Sequence, residues 1–297
     1  MIKKYNQFLN EGLLDKLKGP NDEEIWKILN KLDPKDMMFK SAEIGFYPGI
    51  EKAIELGADI KDREDFENAY GEYDDQNILD VVAYKGYEEL FDKIYKNFVS
   101  DSKKRDTKYL NHLLINVCKT NNISFAKKLI EMGAKIYAYN NRALITASEY
   151  GQLSMIKFLL ENGAYIFADH NDALKRGIEG NYTDIVKFLL EKGADLDDVD
   201  LDSYDFGKVF KKDNTELFEL LIKNGLDVNE IFNEHTIMDL LGDRSYGIIK
   251  LLIGAGFKLK NKIASNRIKT YGPLTYGKPL DNSIIEFLKT NNIIEND

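Results

Sequence analysis

Six glycines, Gly57, Gly133, Gly163, Gly193, Gly225 and Gly256, each close an apolar run that reads L-L-x-x-G-A or a near copy of it. Gly133, Gly163 and Gly193 are thirty residues apart, and the next two intervals are thirty-two and thirty-one. A fixed period of about 30 residues means stacked supersecondary units rather than one closed core. A chain built that way offers surfaces more readily than pockets, so the expected product is a binding solenoid without an active site.

Each unit has the same physical content. Ile156, Leu159 and Leu160 fall on one helical face, the spacing that buries a stripe against a neighbour. Gly163 follows where the chain must turn left-handed to leave that helix. Upstream, residues 143–148 predict a shorter helix rich in small residues, and residues 149–152 turn it into the longer one. The repeat is therefore a helix-turn-helix, short then long, followed by a loop.

Gly193-Ala194-Asp195, Gly57-Ala58-Asp59 and the run Asp184-Ile185-Val186-Lys187-Phe188-Leu189-Leu190 resemble the second helix and the G-A-D exit of the ankyrin-repeat family, over most of residues 35–295. The divergent copies are similar to those of large DNA viruses and of bacteria. Where that family has T-P-L-H, this chain has Arg142-Ala143-Leu144-Ile145, Asp172-Ala173-Leu174-Lys175 and Thr236-Ile237-Met238-Asp239. The family histidine and its cross-repeat hydrogen bonds are missing, which predicts less regular fingers. The resemblance implies an all-α helical solenoid of about eight helix-turn-helix units with long finger loops. Irregular units are expected at 38–60, at 78–98 with Asn97 at the glycine position, and at 113–136. After the two clean copies come 206–228, 236–259 and a terminal cap, 283–294, with Asn292 in place of glycine.

Residues 1–32 separate from this pattern as leader or capping helices, and residues 33–297 form the solenoid with its degenerate C-terminal cap. Gly19-Pro20 separates two short helices and marks a hinge between leader and solenoid. The second, 21–32, is capped by Asn21 or Asp22 and holds Trp26 as a packing residue. Pro34 starts the first repeat helix. Lys4-Tyr5-Asn6-Gln7-Phe8-Leu9-Asn10-Glu11-Gly12, with Lys3 at the family spacing, resembles the capsid-targeting leader of internal head proteins in large tailed bacteriophages. That resemblance implies proteolytic processing after Leu9-Asn10-Glu11, leaving Gly12 first. An amphipathic capping helix built on Tyr5, Phe8, Leu9, Leu13 and Leu17 is the competing reading.

Charge and composition exclude several classes. A net charge of -9 lacks the basic footprint of general nucleic-acid binding. No apolar run is long enough for a membrane span. The single Cys118, beside Ile115 and Val117, excludes a disulfide framework and reads as a buried thiol of a cytoplasmic protein. His112, His170 and His235 have no partner at metal-ligand spacing, and no metal or cofactor is expected. Asp198, Asp200 and Asp202 have calcium-loop spacing, but Ser203 and Val209 stand where glycine and a bidentate glutamate are needed. The stretch 272–278 nearly spells a phosphate loop, yet Pro279 replaces the magnesium-holding hydroxyl.

Three segments stand out, the two charged ones as solvated runs or else partner-contacting patches, the third as a contact loop or else a mobile one. Asp195, Asp197, Asp198, Asp200, Asp202 and Asp205 crowd one finger, whereas Lys258, Lys260, Lys262, Arg267, Lys269 and Lys278 fill another. Residues 61–77 mix acids with Phe66, Tyr70 and Tyr73 and read as a contact loop. Finger and inner-helix positions not needed for packing are Tyr137, Tyr139, Asn140, Arg142, Phe167, His170, Asn171, Tyr204, Phe232 and Glu234, and aromatic or arginine residues there are the usual interface anchors. The first reading is a monomeric, non-enzymatic scaffold binding a bacterial host or defence protein on its concave face, in the host cytoplasm or the virion interior. The alternatives are a binder of a small anionic molecule using Lys258 to Lys278, and an enzyme with a site between repeats, for which no constellation is present.

Overall fold

The computed structural model describes residues 22–60, 63–67, 73–96, 107–197, 199, 213–259, 262–264 and 280–295. The chain divides into two compact units, Met1–Lys135 and Ile136–Asp297.

In the first unit α1 (Asp22–Leu29) leads into α2 (Pro34–Glu43) and α3 (Tyr47–Glu55). After a two-stranded hairpin, β1 (Arg63–Glu67) and β2 (Tyr73–Asn77), follow α4 (Ile78–Lys85), α5 (Glu88–Ile94), α6 (Thr107–Cys118) and α7 (Ile123–Met132). Starts are set by local chemistry. Asp33 caps α2, accepting from the Asp36 N–H at 2.9 Å with Pro34 in the first turn. Asn77 and Asp80 close a reciprocal capping box on α4. Such caps are each worth about 1 kcal/mol. The first helices of successive hairpins, α2, α4 and α6, pack in series. Phe91 and Phe125 meet edge-to-face at 4.9 Å between the second helices. Trp26 packs the same way on Phe46 at 5.4 Å, which ties α1 to the first hairpin.

The second unit repeats the scheme with α8 (Ala138–Glu149) and α9 (Leu153–Glu161), then α10 (Ala168–Glu179) and α11 (Thr183–Glu191). It continues with α12 (Thr215–Lys223), the single turn α13 (Val228–Ile231), α14 (Glu234–Gly242), α15 (Tyr246–Gly254) and α16 (Asn282–Thr290). The apolar stripes predicted from spacing are buried, Ile156 and Leu159 in α9, Ile185, Val186 and Leu189 in α11, and Leu217, Phe218 and Leu221 in α12. Each such side chain contributes roughly 1.5–3 kcal/mol. Small residues let the first helices approach closely. The Ser148 hydroxyl donates to the Ala173 carbonyl at 2.5 Å, and Gly177 lies against Ser148 with no room for a larger side chain. At the C-terminal end Ile263 pairs with Ile294 as a short parallel bridge beside α16, both side chains buried.

The helical repeat is as the spacing predicts, with three differences. The first helix of a repeat is not the shorter one as a rule, with twelve residues in α6 against ten in α7 and nine each in α14 and α15, although α8 is regular only from Arg142 onward, after three left-handed residues. Residues 61–77 are not a plain loop, since residues 63–67 and 73–77 pair antiparallel with Phe66 opposite Asp74. Cross-repeat hydrogen bonds exist despite the missing histidine, and asparagines make them. The expected left-handed exit at Asn97 lies outside the described residues, whereas Asn292 does turn left-handed, with φ at 61°.

Candidate functional site

The fingers begin where each second helix ends. In α9 the Gly163 N–H donates to the Leu160 carbonyl and the Ala164 N–H to that of Leu159, the paired bonds that satisfy a helix end through a left-handed glycine. The chain then crosses to the next first helix, and an asparagine there secures the following finger. Asn141 accepts from the Tyr165 N–H at 2.7 Å, and Asn229 from the Lys258 N–H at 3.0 Å. In the first unit Asn111 accepts from the Lys135 N–H at 2.7 Å. Asn111 and Asn141 are buried, where a side chain-to-backbone bond contributes about 1 kcal/mol and its loss would strand a donor.

Between Tyr137 and Arg142 the backbone does something costly. Tyr139, Asn140 and Asn141 are all left-handed, with φ of 50°, 54° and 57°. An L-residue in that region costs roughly 1–2 kcal/mol, less for asparagine. The bond from Tyr165 to Asn141 is part of what holds it. The consequence is display, because Tyr137 and Tyr139 stand 64% and 49% exposed, and on the next finger Tyr165 and Phe167 stand 58% and 42% exposed. Among the described residues the only other large apolar side chain so exposed is Leu56. Tyr165 and Phe167 contact each other edge-to-face at 5.4 Å. The Phe167 ring tip also reaches the root of the following finger, 3.8 Å from where a side chain on Gly193 would begin. That finger carries the exposed Asp195 and Asp197, the Asp195 carboxylate accepting from the Asp197 N–H at 3.1 Å.

The first-helix face beside these fingers is charged but internally neutralised. Arg142 pairs with Glu149 at 3.6 Å, and Arg176 with Asp172 at 3.4 Å and Glu179 at 2.9 Å. Burial works against the charge on Arg176, but the Asp172, Glu179 and Glu149 carboxylates outweigh it and hold its pKa above the ordinary value.

The sequence-predicted positions do not all share this surface. Tyr137, Tyr139, Asn140, Arg142 and Phe167 are exposed, and Glu234 is half-buried in the first turn of α14. Two positions are corrected. Asn171 is buried within α10, and Phe232 is buried edge-to-face on Phe218 at 5.6 Å, so its size serves the core. The backbone of His170 lies in α10, but its side chain is outside the described residues, as are Tyr204, Leu9, Glu11, Gly12, Lys260, Arg267, Lys269 and Lys278. Of the basic finger, Lys258 and Lys262 are exposed, and Lys262 donates to the Asn292 side chain at 3.0 Å. Tyr165 escaped the sequence reading, although it precedes the Phe167 position by two residues on the same finger. Cys118 is fully buried, and that burial pushes the pKa of its thiol up. Among the described residues no three His, Cys, Asp or Glu side chains are placed to hold a metal, and no helix is long and apolar enough to cross a membrane.

Two overlapping stretches, residues 79–170 and 113–200, match the family model for ankyrin repeats in three copies. The crystal structure of the human ASB11 ankyrin repeat domain superposes with a TM-score of 0.51 at 19% identity, over 74% of this chain and 98% of that one. The match to ankyrin repeats covers residues 79–200, and the wider likeness is one of fold. The ankyrin repeat domain of Bcl-3, a member of the IkappaB protein family, is similar at 19% identity with a TM-score of 0.43, over 61% of this chain and 86% of that one. No curated protein matches the chain. The left-handed glycine exits Gly133, Gly163 and Gly193 all lie within the matched stretch.

Proposed function

We propose that the chain is a non-enzymatic scaffold that holds a protein partner on the fingers around Tyr137, Tyr139, Tyr165 and Phe167 and on the adjoining first-helix face with Arg142. The supporting observation is the concentration of exposed rings on two successive fingers, backed by a left-handed turn that the Tyr165 amide helps to hold. Ankyrin repeats bind protein partners, and a rigid row of aromatic anchors is suited to that task because few rotamers are lost on contact.

The resemblance of residues 3–12 to a phage leader extends the proposal. The protein is encoded by a large tailed bacteriophage, carried in the head and delivered to the host cytoplasm, where it binds a host or defence protein. Affinity capture from bacterial lysate, followed by mass spectrometry, tests the scaffold. A host protein retained by the intact chain and lost from Tyr137→Ser/Tyr165→Ser/Phe167→Ser supports it, and equal retention by that variant rejects the finger surface. Peptide mapping of purified virions tests the leader, with the mature protein expected to begin at Gly12.

A further inference from the structure

The aromatic fingers and the acidic finger are one continuous run of contacts. Asn141, at the end of the left-handed turn, receives the Tyr165 N–H, Tyr165 touches Phe167, and Phe167 reaches the Gly193 root from which Asp195 and Asp197 extend. Arg142, Lys175 and Arg176 on the first helices already face the carboxylates of Glu149, Asp172 and Glu179. A ligand spanning this run thus meets π faces at one end and carboxylates at the other.

We infer that the fingers select an extended segment of a partner protein bearing apolar side chains followed by arginine, a reading that rests on the scaffold proposal and narrows it. Charge complementarity sets the sign of the partner, since an anionic segment, nucleic acid or lipid headgroup would meet the aspartates unpaired. Arginine suits both halves of the surface, because its planar guanidinium stacks on aromatic rings and binds carboxylates in a two-pronged fashion, whereas lysine offers a compact, strongly hydrated charge. Spacing follows from the repeat. Packed helices lie about 8–10 Å apart, and an extended chain rises about 3.3 Å per residue. Successive fingers are therefore met by side chains about three residues apart.

The test uses the full chain and a fluorescein-labelled peptide with leucine, leucine, arginine and arginine at every third position in a serine-glycine background. Fluorescence anisotropy should show saturable binding that weakens with salt, at least about tenfold loss with Tyr165→Ser/Phe167→Ser, and a flatter salt dependence with Asp195→Asn/Asp197→Asn. The asparagine variants keep the acceptor for the Asp197 N–H, and unchanged melting confirms that the fold is intact. Replacing arginine with lysine in the peptide should cost affinity, and replacing it with glutamate should abolish binding. Equal binding of the glutamate peptide overturns the inference, as does preferential binding of a single-stranded oligonucleotide, or self-association of the chain that the same substitutions abolish. If a host protein is captured through the rings while the arginine peptide shows no preference, this inference falls and the scaffold stands. If the rings capture nothing, both fall.

Discussion

Most described repeats turn the chain twice through left-handed backbone, and the two turns obey different rules. At the six glycine exits the φ angles are large, from 92° at Gly256 to 117° at Gly133. That lies beyond the +50° to +70° window open to residues with a side chain, so glycine is required for conformation alone. Indeed, a side chain at Gly57, Gly133, Gly163, Gly225 or Gly256 would touch nothing within 4 Å. At the turn between the two helices of a repeat the angles fall to 73° at Gly45 and Gly151, 59° at Asn181 and Arg244, and 50° at Asp213. Here identity is free, and the position is used to fasten the next repeat. Gly151 admits the ring of Tyr182, Asn181 accepts from Asn214 at 2.6 Å, and Asp213 accepts from the Gly247 and Ile248 N–H groups at 3.3 and 3.0 Å. One turn punctuates the repeat and the other joins it to its neighbour.

The largest effect is expected at Gly151→Ala. Its new methyl would sit 2.9 Å from the Tyr182 ring on top of a left-handed backbone, a combined cost of roughly 2–4 kcal/mol. Urea unfolding should show much of that loss relieved in a Tyr182→Ala background. Absence of coupling between the two sites would mean that this turn does not register the repeats. Gly163→Ala should cost less, roughly 1–2 kcal/mol, from backbone conformation alone, and no substitution elsewhere should rescue it. Equal losses at the two glycines would erase the distinction. Arg244→Gly is the smallest. Relief of a left-handed arginine and the entropy of a new glycine nearly cancel, so the midpoint should move by less than about 0.5 kcal/mol.

This difference also explains what could be read from the sequence. The exits carry one residue type at one interval, so a period of about thirty appears at sight, and the apolar stripes that pack inside it follow from the spacing of Ile156, Leu159 and their equivalents. Asn292 was readable for the same reason, because at a φ of 61° asparagine can do what glycine does elsewhere. The joining turns change residue from copy to copy and leave no period. The latches are hidden differently: Asn141 and Tyr165 are far apart in the chain, and the acceptor is a side chain while the donor is backbone, so nothing in the identity of residue 165 marks it. Phe232 and Asn171 were misplaced because their positions beside the fingers favour exposure, whereas packing on Phe218 and enclosure in α10 decide otherwise. The hairpin at 63–77 has acidic strands without apolar alternation, and only backbone pairing defines it.

Tyr165 holds two jobs in separate atoms. Its amide fastens the finger to Asn141, and its ring faces outward beside Phe167. Every residue except proline supplies the same amide, so the ring can be exchanged without loosening the finger. A lineage carrying this chain can therefore alter what position 165 recognises in a single step, with no compensating change at Asn141, and a library randomised at that position should consist almost entirely of folded members.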